Sequence, residues 1–171
     1  MRAISLVAVA LLLSACAATY KQEVLLSPRA KLERGKSVLI ATPKDGFYET
    51  KEYRGSGAKT AIVIQAAFAR FSNNVAVSPT CRDLACLQGE GKQTAYAYYA
   101  VPEILHWEDR NTEWSGKPDR VEVKLVVYDG ATQSEIGSAV ISGTSKWATF
   151  GGDHPEDLLP EPFQQHINSL Y

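Results

Sequence analysis

Several groups of side chains in this sequence could do chemistry. Gly55-Ser56-Gly57-Ala58-Lys59-Thr60 places small residues, hydroxyls and a lysine where an apolar periodic stretch begins. A helix start presents unpaired N–H groups, so Ser56, Gly57 and Lys59 form a candidate contact for an anion or for an acidic side chain of a partner. The same residues also make a plain capped helix start, which is their commoner use, with the Ser56 hydroxyl as the cap. A phosphate-binding loop needs G-x-x-x-x-G-K-[ST], and Tyr53 and Ala58 occupy its two glycine positions, so nucleotide hydrolysis is not expected. Glu103, Glu108, Asp109 and Glu113 cluster around Trp107 and Trp114, a composition that suits a glycosidase carboxylate pair or a sugar-stacking platform. A solvated loop edge accounts for the same acids. His106, His154 and His166 are far apart on different segments and are expected as boundary residues, with no metal site, and no G-x-S-x-G nucleophile elbow occurs.

The amino terminus carries a different chemistry. Arg2 precedes an apolar run from Ala3 to Leu13, interrupted only by Ser5 and too short to span a bilayer, so it reads as the core of an export signal. It ends in Leu13-Ser14-Ala15-Cys16. This ending resembles the lipobox of bacterial lipoproteins, in which the thiol receives a diacylglyceryl group, the signal is cut before the cysteine and the new amine is acylated, for instance with palmitate. Carried onto this chain, Ala15-Cys16 is the cleavage point and Cys16 the lipidated residue. Several acyl chains make such an anchor effectively permanent. Ala17 stands where an Asp often signals retention at the inner membrane, so the expected address is the outer membrane, facing the periplasm. No other cofactor is expected.

Export also decides how the other two cysteines read. Cys81 and Cys86 would meet an oxidising compartment, and a disulfide between them is the expected state. Residues five apart in a regular helix have Cα atoms roughly 8 to 9 Å apart, beyond bridging distance, so a helix there must begin near Arg82 or later. Neither a C-x2-C pair nor a nearby histidine supports a metal.

The 171 residues carry 18 Lys and Arg against 19 Asp and Glu, with 45% hydrophobic and 22% charged residues. That composition excludes disorder and argues against a basic nucleic-acid binder, and the length suits one core. The elements that would hold the candidate groups follow from periodicity. Residues 1–15 are the signal and 16–36, which lack a sustained period, read as a lipidated tether. The remaining 37–171 read as a single periplasmic α/β domain. Ser37 to Thr42 is a buried strand stopped by Pro43, Ala58 to Phe71 an amphipathic helix, and Val75 to Val77 a second strand suited to parallel pairing. A short helix around Leu84 and Leu87 follows. Three strands of an antiparallel meander come next: Ala95 to Trp107, Arg120 to Tyr128, and Ile136 to Trp147. Strict alternation in the first puts Tyr98 and Ala100 on one side and Tyr99, Val101 and Trp107 on the other. A closing helix carries Phe163, Ile167 and Leu170 on one face. The order β-α-β-α-β-β-β-α predicts a mixed sheet of about five strands with helices mainly on one face.

The lipobox, the Val-Leu-Ile strand ending at Pro43, the Gly55-Ser56-Gly57 helix start, Tyr99-Ala100-Val101-Pro102-Glu103-Ile104 and Val127-Tyr128-Asp129 together resemble a family of Gram-negative periplasmic lipoproteins built on a domain of unknown function. More distantly the pattern is similar to the amino-terminal domain of TolB and to the CsgG, LpoB and PelC class. The resemblance implies a TolB-like fold and a non-catalytic module of the cell envelope that docks another envelope protein or assembles with itself. Trp107 and Trp114 would be natural interface anchors if exposed. The alternative expectation is a peptidoglycan or glycan-binding module using the same tryptophans, and a hydrolase is less favoured. Nucleic acid and nucleotide are not expected as partners.

Overall fold

A computed structural model describes residues 18–90, 95–110, 117–145 and 154–171. The strands are β1 (Thr19–Leu26), β2 (Val38–Ala41), β3 (Gly46–Tyr48), β4 (Lys51–Tyr53), β5 (Val75–Ser78), β6 (Tyr98–Glu108), β7 (Arg120–Asp129) and β8 (Glu135–Thr144). The helices are α1 (Ser56–Phe68), α2 (Leu84–Glu90) and α3 (Pro160–Leu170), and a 3-10 turn at Pro155–Leu158 leads into α3. Six strands form one mixed sheet in the order β1-β8-β7-β6-β2-β5, and β3 and β4 make a separate hairpin. The mixed α/β fold matches expectation, with six strands in the main sheet where about five were expected.

Short apolar runs become the centre of the sheet. β2 is buried along its whole length because both of its edges are paired in parallel, with β5 on one side and β6 on the other. β7 alternates as its sequence indicates, with Val121, Val123, Leu125 and Val127 turned to the larger core. α1 and α3 cover that face through Ile64, Phe68, Phe163, Ile167 and Leu170. Side chains of this size, fully removed from water, each stabilise by about 1.5–3 kcal/mol. Among the described residues the opposite face is covered near β2, where α2 and Leu87 pack on Leu39, Ala41 and Tyr99. Farther along, that face carries polar residues that pair in register: Glu103 faces Lys124, His106 faces Glu122 and the buried Glu108 faces Arg120. Opposite charges directly across two strands add modest attraction.

The fold departs from the sequence reading at three elements. The first is β1, which lies within the segment expected as a tether and pairs antiparallel with β8 from Thr19 opposite Thr144 to Leu26 opposite Ser138. All eight of its residues are exposed, so no buried period marks it as a strand. The second is the β3–β4 hairpin, which sits in the expected loop after Pro43 and has three residues per strand. The third is a bulge in β6. Ile104 pairs with Val123 while His106 pairs with Glu122, leaving Leu105 as an extra residue. One inserted residue exchanges the two faces of everything beyond it. Trp107, expected on the side of Tyr99 and Val101, therefore joins Tyr98 and Ala100 in the main core and is 2% exposed.

Candidate functional site

The start of α1 is built differently from the expected serine cap. Gly55 occupies the capping position in a left-handed conformation, with φ of 85°, and Ser56 is the first helical residue with no side-chain cap. The capping carboxylate comes from Asp45, at the turn into β3. Its Oδ2 accepts from the Gly55 N–H at 3.0 Å and its Oδ1 from the Gly57 N–H at 2.8 Å. The Ser56 hydroxyl is turned inward and accepts from the Gly46 N–H at 2.8 Å. Gly57 is pressed against the chain, since a Cβ there would lie 2.2 Å from the Pro43 carbonyl. Lys59 pairs with Glu156, and the hydrogen bond it donates to that carboxylate raises the Lys59 pKa. The anion contact expected at Ser56, Gly57 and Lys59 is thus taken by carboxylates of the same chain, because a helix start draws the nearest negative group.

Trp107 offers no stacking surface. It is buried beneath the hairpin, and Gly46 packs so closely that a Cβ there would lie 2.5 Å from the Trp107 Cβ. Trp114, Trp147, Glu113, Cys16 and Ala15 lie outside the described residues. Cys81 and Cys86 form a disulfide with Cα atoms 5.3 Å apart. The chain is not helical at Cys81. α2 begins at Leu84, and Asp83 caps it by accepting from the Cys86 N–H at 2.8 Å.

What the fold does gather is a charged cluster where β6 ends and β7 begins. Glu108 is buried. Burial pushes its carboxyl upward, but hydrogen bonds from His106 and Arg110 more than offset this and hold it below the usual carboxylate range. His106 Nε2 stands 3.2 Å from Glu108 Oε2, and Arg110 Nη2 lies against Oε1. Arg110 also donates to the Tyr48 hydroxyl at 3.2 Å and stands over the Tyr48 ring, and Tyr48 meets His106 edge-on at 5.4 Å. Asp119 ties the end of β6 to the start of β7: it accepts from the Arg110 N–H at 2.6 Å, and its own N–H donates to Ser145 Oγ at 2.8 Å. A cleft of about 420 Å³ opens here among Tyr48, His106, Glu108, Arg110, Lys117 and Arg120.

Three carboxylates near this point have a basic neighbour: Glu108 has His106 and Arg110, Asp109 has His154 Nδ1 at 3.6 Å, and Glu156 has Lys59. A general acid needs a raised pKa, and Glu108 is shifted the other way. His166, by contrast, is buried on α3, with Gln22 Nε2 3.0 Å from its Nδ1. Sequence reasoning paired Glu108 with tryptophans and overlooked Arg110, Arg120 and Tyr48. The separation of two between His106 and Glu108, which puts both on one side of a strand, was the available signal.

Among the described residues no group of three or more metal-ligating side chains forms, and no helix is long and apolar enough to cross a membrane. Comparison with known proteins gives a family match and a shared fold. The model of the family described as Domain of unknown function (DUF4823) matches residues 30–170. No curated protein matches the chain. Among solved structures, PelC from Paraburkholderia phytofirmans, a dodecamer, is similar with a TM-score of 0.68 at 14% identity, covering 90% of this chain and 96% of that one. A DUF330 protein from Xanthomonas campestris gives a TM-score of 0.50 at 12% identity, over 85% of this chain and 87% of that one. A lipoprotein from Neisseria meningitidis gives 0.47 at 12%, over 78% and 96%.

Proposed function

The chain belongs to the family described as Domain of unknown function (DUF4823), and from that premise we propose that it is a non-catalytic assembly module of the cell envelope. In this reading Cys16 is lipidated, the anchor lies in the outer membrane, and the domain faces the periplasm and docks a further protein chain. The observation that carries the docking role is β1. It is a sheet edge of eight exposed residues, and it holds Tyr20, Val24, Leu25 and Leu26, four of the seven large apolar side chains exposed among the described residues. No described strand pairs with its outer side, and a strand in that position is a template for another chain. The other edge of the sheet is blunted: β5 has only four residues, and Gln65 donates to the Val75 carbonyl at 3.0 Å. The proposed occupant is a second copy of this chain, a choice supported by the dodecameric state of the PelC that shares its fold.

Two experiments test the reading. Cys16→Ser is expected to release the protein from the membrane fraction, and continued retention contradicts the anchor. Sedimentation velocity of the Cys16→Ser chain from residue 16 is expected to show oligomers that Val24→Lys with Leu26→Lys disperses. A monomer at all concentrations, or oligomers indifferent to those substitutions, refutes docking through β1.

A further inference from the structure

We propose that two copies of this chain pair through β1, running antiparallel about a two-fold axis at Gln22, so that Lys21 of each copy faces Glu23 of the other. The inference rests on the docking of a second copy through β1 and deepens it by fixing the symmetry, the register and the residues that select it.

The two faces of β1 carry different side chains. Gln22 Nε2 stands 3.0 Å from His166 Nδ1 on α3, so Tyr20, Gln22 and Val24 lie on the side of the sheet that carries α3, and Lys21 and Glu23 lie on the other. On the inner side these two charges meet none: Lys21 is opposite Ser142 and Glu23 opposite Val140. The next residues in their rows, Glu122 and Lys124 on β7, stand two strand spacings away, about 10 Å. Neither Lys21 nor Glu23 makes an ion pair with a described residue. One cation and one anion therefore stand exposed on the same face of an edge strand, one residue to either side of Gln22.

A contact related by a two-fold axis must be complementary to itself. In an antiparallel pair of identical strands the axis is normal to the sheet and passes between one residue and its own copy, and residues at equal distances from it lie opposite each other on one face. An axis at Gln22 sets Lys21 opposite Glu23 twice, and Tyr20 opposite Val24 twice, an aromatic against a β-branched side chain. An axis at Lys21 or at Glu23 brings like charges face to face. An axis at Val24 sets Glu23 opposite Leu25 and Lys21 opposite Ser27, which leaves both charges without a counterpart. Charged side chains usually protect an exposed edge from pairing, and here their spacing favours one register and penalises its two neighbours. The strand is regular where that register needs it, because the ladder with β8 is unbroken from Thr19 to Val24 and shifts only between Val24 and Leu26.

The test uses the chain from residue 16 with Cys16→Ser. In sedimentation velocity, Lys21→Glu and Glu23→Lys should each weaken self-association at least about tenfold, since each turns two attractive pairs into two repulsive ones. An equimolar mixture of the two variants should recover the association, as should the chain carrying both substitutions, because every facing pair is again of opposite sign. A second measurement locates the axis. With Cys16 replaced and Cys81 bonded to Cys86, an introduced cysteine is the only thiol. Gln22→Cys sets two thiols across the axis with Cα atoms about 4.5–5.5 Å apart, within bridging distance, whereas Val24→Cys leaves them about 14 Å apart along the strands. Mild oxidation should link the first into a dimer and leave the second unlinked. Charge variants that associate like the parent, a mixture no tighter than either variant alone, or linkage through residue 24 in preference to residue 22 overturns the proposal. A parent chain that stays monomeric defeats the docking of a second copy and the proposal with it. A parent that associates and is dispersed by Val24→Lys with Leu26→Lys, yet ignores both charge reversals, defeats the register alone.

Discussion

Replacing His166 with asparagine is expected to flatten the acid side of the stability profile. His166 is 2% exposed, and burial lowers its pKa to about 4 from the ordinary 6.5. In the unfolded chain it titrates at the ordinary value, so between those two pH values the unfolded state binds a proton that the native state refuses. Stability is therefore full above the unfolded pKa and falls as pH drops through the window, with the loss complete below the native one. Linkage over that gap gives a loss of about 2 kcal/mol between roughly pH 7 and pH 5. Asparagine places Oδ1 near the position of Nδ1, which keeps an acceptor for Gln22 and removes the titration. Urea unfolding at the two pH values reads the difference. The native chain should lose about 2 kcal/mol more than the variant, while carboxylates such as Glu108 and Asp129, held low in both, affect the two alike at lower pH. Equal losses would refute the argument, because they would mean that the β1–α3 contact admits the charged imidazole.

Other outcomes follow from particular contacts. Asp45→Ala removes the acceptor of two helix-start N–H groups and should cost about 1–2 kcal/mol in denaturant unfolding, whereas a change below about 0.5 would contradict the capping role. Gly46→Ala forces a Cβ into the space of a buried Trp107 and should lower stability by about 1–3 kcal/mol; an unchanged midpoint would show that the hairpin does not clamp that ring. Reducing the Cys81–Cys86 bond should cost about 2 kcal/mol, the chain-entropy value for so short a loop. Alkylation of the reduced protein should then reach the exposed Cys86 before the buried Cys81, and equal rates would contradict the packing around α2.

Much of this fold is legible without coordinates, for identifiable reasons. β2, β5 and β7 are short apolar or alternating segments, and α3 carries its buried residues at helical spacing, so local pattern and tertiary burial agree. β1 escapes detection because a strand exposed on every residue leaves no periodic trace, and it owes its conformation to hydrogen bonds with β8. The bulge at Leu105 changes which face Trp107 takes, and nothing local to Tyr98–Glu108 reports one extra residue relative to a partner strand. The α1 cap is legible as a need but not as a donor, since Asp45 lies twelve residues before Gly57 and reaches it through the β3 turn. The cleft residues are likewise joined by register: Glu108 and Arg120 become neighbours only once β6 and β7 pair. The disulfide, by contrast, depends on two residues in one loop and on the compartment, both of which can be read directly.

Photo-crosslinking in cells tests the assembly role most directly. A photoreactive residue in place of Val24, on the exposed edge strand, is expected to capture a second copy of the chain and give a covalent adduct of twice its mass. The same probe at Ile62, exposed on α1 away from that edge, is expected to capture none. No self-adduct at position 24, or equal adducts at both positions, would contradict an assembly module that docks through β1.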